Sequence, residues 1–229
     1  MVDVYEYDYN IFSQNYPLPL VEGINKTKEQ ILLIATLYFA KNGYGSVSMR
    51  DIAKVMGIQP SSLYNHFESK EALWKEVLSH ASHLYMLYFQ HLDSALAEAD
   101  TFEDVLEVIF YEPKRLVNVF TCYAFSMIQA EQFRDKYAGE IFEEVFLAYS
   151  IDFIKGWFEK CIAKNMVPTF DTQTVATIIM HSILIGLEVN VHERLKASHM
   201  KPYDPATMFA ELQQFILWAV KTNRQPDSN

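Results

Sequence analysis

Two cysteines, seven glycines and eight prolines in 229 residues are too few for several fold classes. Cys122 and Cys161 lie inside apolar stretches and cannot build a disulfide framework, so both are expected to be reduced core residues in a reducing compartment. So little glycine and proline disfavours an all-β fold, which needs frequent tight turns. No apolar run approaches the roughly 18 residues of a membrane span. The first residues also lack the basic start and apolar stretch of a signal peptide, so a cytoplasmic protein with no membrane partner is expected. Catalytic signatures are missing as well. There is no glycine-rich phosphate loop, no Gly-x-Ser-x-Gly and no zinc Cys/His set. Di-iron bundles need Glu-x-x-His pairs, whereas Glu188 and His192 stand four apart. His80, His83 and His91 have no second ligand cluster beside them and read as surface or pocket-edge groups. Neither catalysis nor a metal or other cofactor is expected.

Half of the residues are apolar, ample for a core, and periodicity is helical throughout. The net charge of −10 opposes nucleic-acid binding as a total, but it is unevenly spread. Residues 1–25 carry −4 with no Lys or Arg, residues 26–75 carry +3, and residues 76–229 carry −9. The one net-positive part is also the one with the most specific pattern.

That pattern runs over 48–67. Ser48 is placed as an N-cap, with Asp51 three residues on as a shortened capping box. Ile52, Ala53, Val55 and Met56 give a first helix its apolar side, and Gly57 supplies the positive φ that ends it. Pro60 reopens a helix at its first position. Leu63 and Phe67 point inward with Ile58 beside them, leaving Ser61, Ser62, Tyr64, Asn65 and His66 outside. Two short helices, a glycine turn and a polar outer face form the helix-turn-helix layout that enters a DNA major groove. Upstream, 26–41 reads as an amphipathic helix (Ile31, Ile34, Ala35, Tyr38, Phe39) closed by Asn42 and Gly43. Downstream, Ser69 caps a third element with Glu71 in its first turn.

The run from Ile31 to Leu73 resembles the DNA-binding domain of the tetracycline-repressor (TetR) family. The matching residues are Ala35, Phe39, Gly43, Ser48, Ile52, Ala53, Gly57, Ile58, Leu63, Tyr64, His66, Phe67 and Ser69 through Leu73. The chain departs from the family in having Gln59 where a Ser or Thr cap is common, and Ser61 where Gly is common. On the outward face and by this resemblance, Gln59, Ser61, Ser62 and Asn65 are assigned to base edges. Ser48, Arg50, Tyr64, His66 and Lys70 are assigned to phosphates, Ser48 equally well to capping alone.

The remainder reads as helices. Residues 69–99 form one long helix with an inward stripe of Leu73, Val77, His80, Ala81, Leu84, Leu87, Tyr88 and Leu92. Thr101 caps a helix over 101–112. Pro113 opens the next, which runs to about 131, and 138–165 follows as a single helix. Asp171 caps a helix over about 171–196, and the last spans 205–222 with two apolar stripes, Met208–Leu212–Phe215–Ala219 and Phe209–Ile216–Val220. A second stripe needs a second partner, and the resemblance implies that these last two helices form a homodimer interface. The Tyr-rich, acidic segment 1–25 reads as an extension packed over the surface.

The expected fold is all-α: an N-terminal three-helix helix-turn-helix domain and a C-terminal helical bundle that dimerises. The expected divisions are an extension (1–25), a DNA-binding domain (26–72), a ligand-binding and dimerisation domain (73–222) and a tail (223–229). The expected function is a one-component transcriptional regulator, a repressor that binds an inverted-repeat operator in double-stranded DNA. A small-molecule effector, hydrophobic or aromatic, would release it. The resemblance implies a cavity in the body, and Tyr85, Tyr88, Phe89, Phe110, Asn118, Tyr123, Trp157 and His181 are its candidate lining. The alternative is a helical adaptor whose helix-turn-helix serves protein contacts only.

Overall fold

The computed structural model describes residues 26–116, 119–194 and 205–222, all in helices, turns and short connections without a strand. The expectations for 1–25, Asn118 and 223–229, and for the side chain of Cys122, lie outside the described residues. The chain divides into two compact units, one formed by 1–86 with 117–142, the other by 87–116 with 143–229.

In the first unit, α1 (Lys26–Asn42) lies against α6 (Val119–Glu131) and also contacts α2 (Met49–Val55). Its burial is therefore wider than one stripe. Leu32, Leu33, Thr36 and Leu37 are buried along with Ile31, Ala35 and Phe39, whereas Ile34 and Tyr38 are half-buried. The buried Thr36 hydroxyl is satisfied by donating to the Leu32 carbonyl at 2.8 Å. After a 3₁₀ turn (Tyr44–Ser46), α2 and α3 (Pro60–Tyr64) form the helix-turn-helix. The long helix α4 (Lys70–Ala97) begins in this unit, with Ser69 Oγ accepting from the Ala72 N–H at 3.0 Å. Leu73, Trp74, Val77 and Leu78 of α4 are buried. So is His80, which corrects its reading as a surface or pocket-edge group, while His83 and His91 are exposed. The unit ends with α7 (Lys136–Ile141), capped by Asp135.

In the second unit, α5 (Phe102–Leu116) is started by Thr101 and Asp104, whose side chains and backbones bond reciprocally. Pro113 lies within this helix instead of opening the next one. A proline near a helix end forfeits one i→i−4 bond, about 3 kcal/mol in a helix interior. Burial of Phe102, Val105, Leu106, Ile109 and Phe110 on one face opposes that loss. The expected single helix over 138–165 is likewise interrupted: α7 passes through a π-helical stretch, Phe142–Tyr149, into α8 (Ser150–Ala163). Ser150 Oγ reaches back to the Val145 carbonyl at 3.3 Å, and Phe89 packs edge-on against Tyr149 and Phe153 beside the stretch. The wider π turn lets aromatic side chains enter at a spacing that a 3.6 repeat does not supply.

Asp171 caps α9 (Thr172–Arg194), which packs on α8. On α10 (Pro205–Thr222), Phe209, Ile216 and Val220 are buried within the unit, and Phe209 meets Phe110. Phe215 and Trp218 stay 57% and 62% exposed, so the stripe bearing Phe215 is the one left without cover inside the chain. Ile178 and Ile185, seven residues apart and so on one face of α9, are exposed as well. No described helix is long and apolar enough to cross a membrane, and no metal-holding cluster of His, Cys, Asp and Glu occurs among the described residues.

Candidate nucleic-acid interface

The helix-turn-helix is built by its ends. At the start of α2, Ser48 Oγ accepts from the Asp51 N–H at 3.3 Å and the Asp51 carboxylate accepts from the Ser48 N–H at 2.8 Å. These bonds hold the Asp51 carboxyl below its usual pKa, the Ser48 side chain contributing most. At its other end, Gly57 adopts φ 66°, the Ile58 N–H bonds the Ala53 carbonyl at 3.0 Å and the Gly57 N–H bonds Lys54 at 3.2 Å. This is a Schellman closure, and it turns the chain into α3 with Pro60 in its first turn. Leu63 and Phe67 are buried beneath α3.

That burial decides what α3 shows to solvent. Gln59, Ser61, Tyr64, Asn65 and His66 are exposed, Tyr64 by half of its surface, and Ser62 is half-buried. The outer face thus carries amide, hydroxyl, phenol and imidazole groups within one short helix and its exit. Ser48 and Arg50 are exposed at the start of α2. A cation in the first turn of a helix opposes the helix dipole, so Arg50 gains little locally and is available to an external anion.

Lys70 is placed differently from the other phosphate candidates. It is half-buried, its ammonium 4.2 Å from the centre of the Tyr44 ring and 3.5 Å from the Gly45 carbonyl oxygen. Burial lowers its pKa and the Glu131 carboxylate opposes that shift. Tyr44 in turn stacks at 4.7 Å on Trp74, which meets Phe39 edge-on at 5.3 Å. Neither Tyr44 nor Glu131 was marked from the sequence. The one available signal was an acid at the C-terminal end of an apolar helix, where the dipole disfavours it unless a donor is close.

The effector candidates fall in both units. In the first, Tyr123 is buried with Lys41 over its ring and Tyr85 is half-buried. In the second, Tyr88 and Phe89 are brought ring to ring, and Phe110 is buried against Phe209. Trp157 donates from its indole N–H to Asp93 at 2.9 Å. His181 is exposed, with Nδ1 2.8 Å from the Thr177 carbonyl oxygen. A cleft of about 360 Å³ opens where α4 ends and α5 begins, lined by Glu98, Asp100, Asp104 and Glu107 with Val108 and Tyr111. It contains none of the eight candidates, and its carboxylates repel an anionic ligand.

Residues 31–77 match the family model of bacterial regulatory proteins of the tetR family. Among characterised relatives, the repressor KstR2 of Mycolicibacterium smegmatis is 41% identical over 69 residues, 30% of this chain and 34% of its own. The regulator UidR of Escherichia coli K12 is 44% identical over 52 residues, 23% of this chain and 26% of its own. The chain therefore spans about a third or less of the length of the curated relatives it matches. Solved structures extend the likeness in fold. Salmonella enterica GusR has a TM-score of 0.63 at 21% identity, covering 88% of this chain and 98% of GusR. The ketosteroid transcriptional regulator KstR2 of Mycobacterium tuberculosis has a TM-score of 0.57 at 18% identity, covering 89% and 98%. FadR of Bacillus subtilis, solved with stearoyl-CoA, has a TM-score of 0.59 at 16% identity, covering 82% and 96%. The domain match at 31–77, joined to an all-helical fold shared with TetR regulators, makes this chain a member of the TetR family.

Proposed function

We propose that the protein is a dimeric, ligand-responsive transcriptional repressor that reads an inverted-repeat operator. The observation that carries this reading is the exposed face of α3, where Ser61, Tyr64, Asn65 and His66 stand over a buried Leu63 and Phe67. Hydroxyls and amides on a helix of this kind can read base edges in a major groove. Arg50 and Lys70 supply phosphate contacts, with Ser48, Tyr64 and His66 as neutral donors. The acidic remainder keeps all but the basic head away from the duplex.

Two copies are needed because one α3 covers only a half-site. Successive half-sites on one face of DNA are about 34–36 Å apart. The exposed faces of α9 (Ile178, Ile185) and α10 (Phe215, Trp218) supply apolar surface for a two-fold interface. Covering Phe215 and Trp218 removes on the order of 200 Å² per protomer, worth about 5 kcal/mol before the losses of association.

The effector is a hydrophobic or aromatic small molecule. Its support is the aromatic content of the body and the apolar ligands named for two solved relatives, a ketosteroid regulator and a regulator holding stearoyl-CoA. It acts by binding more tightly to a form of the dimer whose heads do not fit successive grooves. The domain divisions at 26–72 and 73–222 belong to this reading.

The direct test is fluorescence anisotropy with a duplex from the DNA upstream of the protein's own gene. Saturable, salt-sensitive binding of one dimer per site, tighter than to a shuffled duplex, is expected. Equal and salt-independent affinity for both duplexes would overturn the reading in favour of the adaptor.

A further inference from the structure

Three helix ends in the described chain pass through a positive φ, and they close in two different ways. After α2, the N–H groups of Gly57 and Ile58 both return to α2 carbonyls. After α8, Asn165 at φ 55° does the same: its N–H bonds Ile162 and the next, of Met166, bonds Cys161. After α1, only the Gly43 N–H returns, to Phe39 at 2.9 Å. Gly43 has φ 78° and ψ 146°, an extended ψ that carries the following peptide away from the helix. The Tyr44 N–H is thereby taken from the carbonyl a Schellman closure would offer it. It donates instead to Glu131 Oε1 at 3.1 Å, across 87 positions of sequence.

We infer that Glu131 is a positioning residue for DNA binding, setting the Lys70 ammonium through the turn that carries Tyr44. The geometry is consecutive. Glu131 is buried at the end of α6, which lies along α1. Its carboxylate fixes the backbone of Tyr44, whose ring is held on Trp74 and supports the Lys70 ammonium at 4.2 Å. The same turn presents the Gly45 carbonyl to that ammonium. A cation resting on an aromatic face keeps most of its N–H donors and loses conformational freedom in advance of contact. This inference rests on the proposed DNA reading and adds a residue outside the matched stretch 31–77.

Electrostatics alone makes the opposite prediction. A carboxylate near a phosphate-binding lysine repels DNA, so removing it should tighten binding in every variant that lacks the charge. Positioning predicts loss instead. The test compares wild type, Glu131→Ala, Glu131→Gln, Lys70→Ala and the Glu131→Ala/Lys70→Ala pair for binding the upstream duplex and a shuffled duplex across a salt series. Expected is weaker binding by Glu131→Ala, with a log–log salt slope smaller by about 0.9, the loss of one phosphate contact. Glu131→Gln keeps an oxygen acceptor and should stay within about twofold of wild type, while the double variant should be no weaker than Lys70→Ala, since the two act as one unit. Glu131→Asp keeps the charge but shortens the reach, and it should resemble Glu131→Ala; it replaces that variant should Glu131→Ala not fold by circular dichroism. Binding by the alanine variant as tight as wild type, a glutamine variant as weak as alanine, or multiplied losses in the pair would each overturn the inference. Failure of the wild type to bind either duplex would overturn the DNA reading itself, and is read before any variant is made.

Discussion

The indole N–H of Trp157 donates to the Asp93 carboxylate at 2.9 Å, and the Lys160 ammonium lies 3.9 Å from both that oxygen and the centre of the Trp157 ring. One carboxylate on α4 thus holds α8 through an aromatic donor and a cation. Trp157→Phe keeps the ring and removes the donor. It should lower unfolding free energy by about 1.5–3 kcal/mol, as for a hydrogen bond to a charged group, measured by urea denaturation. An unchanged midpoint would mean that water replaces the bond without loss.

Lys70→Ala should reduce the salt slope of DNA binding by about one unit, and weaken the upstream and shuffled duplexes alike. Asn65→Ala should instead weaken the upstream duplex more, by about 1–3 kcal/mol if it pairs bidentately with a base. The two duplexes measured side by side separate these outcomes.

Assembly separates neighbours on α10. Phe215 and Trp218 are exposed, whereas Ile216 between them is buried in the chain's own core. Trp218→Asp should therefore give a folded monomer by sedimentation velocity. Ile216→Asp should give unfolded or aggregated protein, because a buried unpaired carboxylate is costly. A dimeric Trp218→Asp would move the interface elsewhere.

Acid should act through His80. Burial pushes its imidazole down to about 4, with His83 adding to the shift, Glu76 opposing it and Lys28 adding a little. A folded pKa below the unfolded value near 6.5 gives stability that is complete above about pH 6.5 and lost as pH falls towards 4, on the order of 3 kcal/mol in all. His80→Leu should flatten the melting temperature between pH 6.5 and 4. An equally steep profile in that variant would place the sensitivity in other groups.

A long-chain fatty acid or a steroid should raise the melting temperature, by about 2.7 kcal/mol of stabilisation at a hundred times its dissociation constant. The same compound should weaken DNA binding, and DNA should weaken its binding by the same factor. A screen in which only anionic metabolites stabilise the protein would sink the apolar-effector reading.

The helix-turn-helix could be read in the chain because its signals are local. Ser48, Asp51, Gly57 and Pro60 act on backbone groups within a few residues, and the structure bears out each of those caps and turns. Ser69, Thr101 and Asp171 were legible for the same reason. The exposed face of α3 followed from the spacing of Leu63 and Phe67 alone. What lay beyond local rules was decided by packing. Pro113 reads as a helix start, yet the helix runs through it under a stripe of buried side chains. The π stretch at Phe142–Tyr149 has no sequence signature of its own. His80 and Ile216 look like candidates for solvent and partner until the elements around them bury both. The Tyr44–Glu131 bond joins residues 87 positions apart, and no local propensity links them. Periodicity fixes which face of a helix is apolar, but only the neighbouring elements determine how much of that face is covered, and by what.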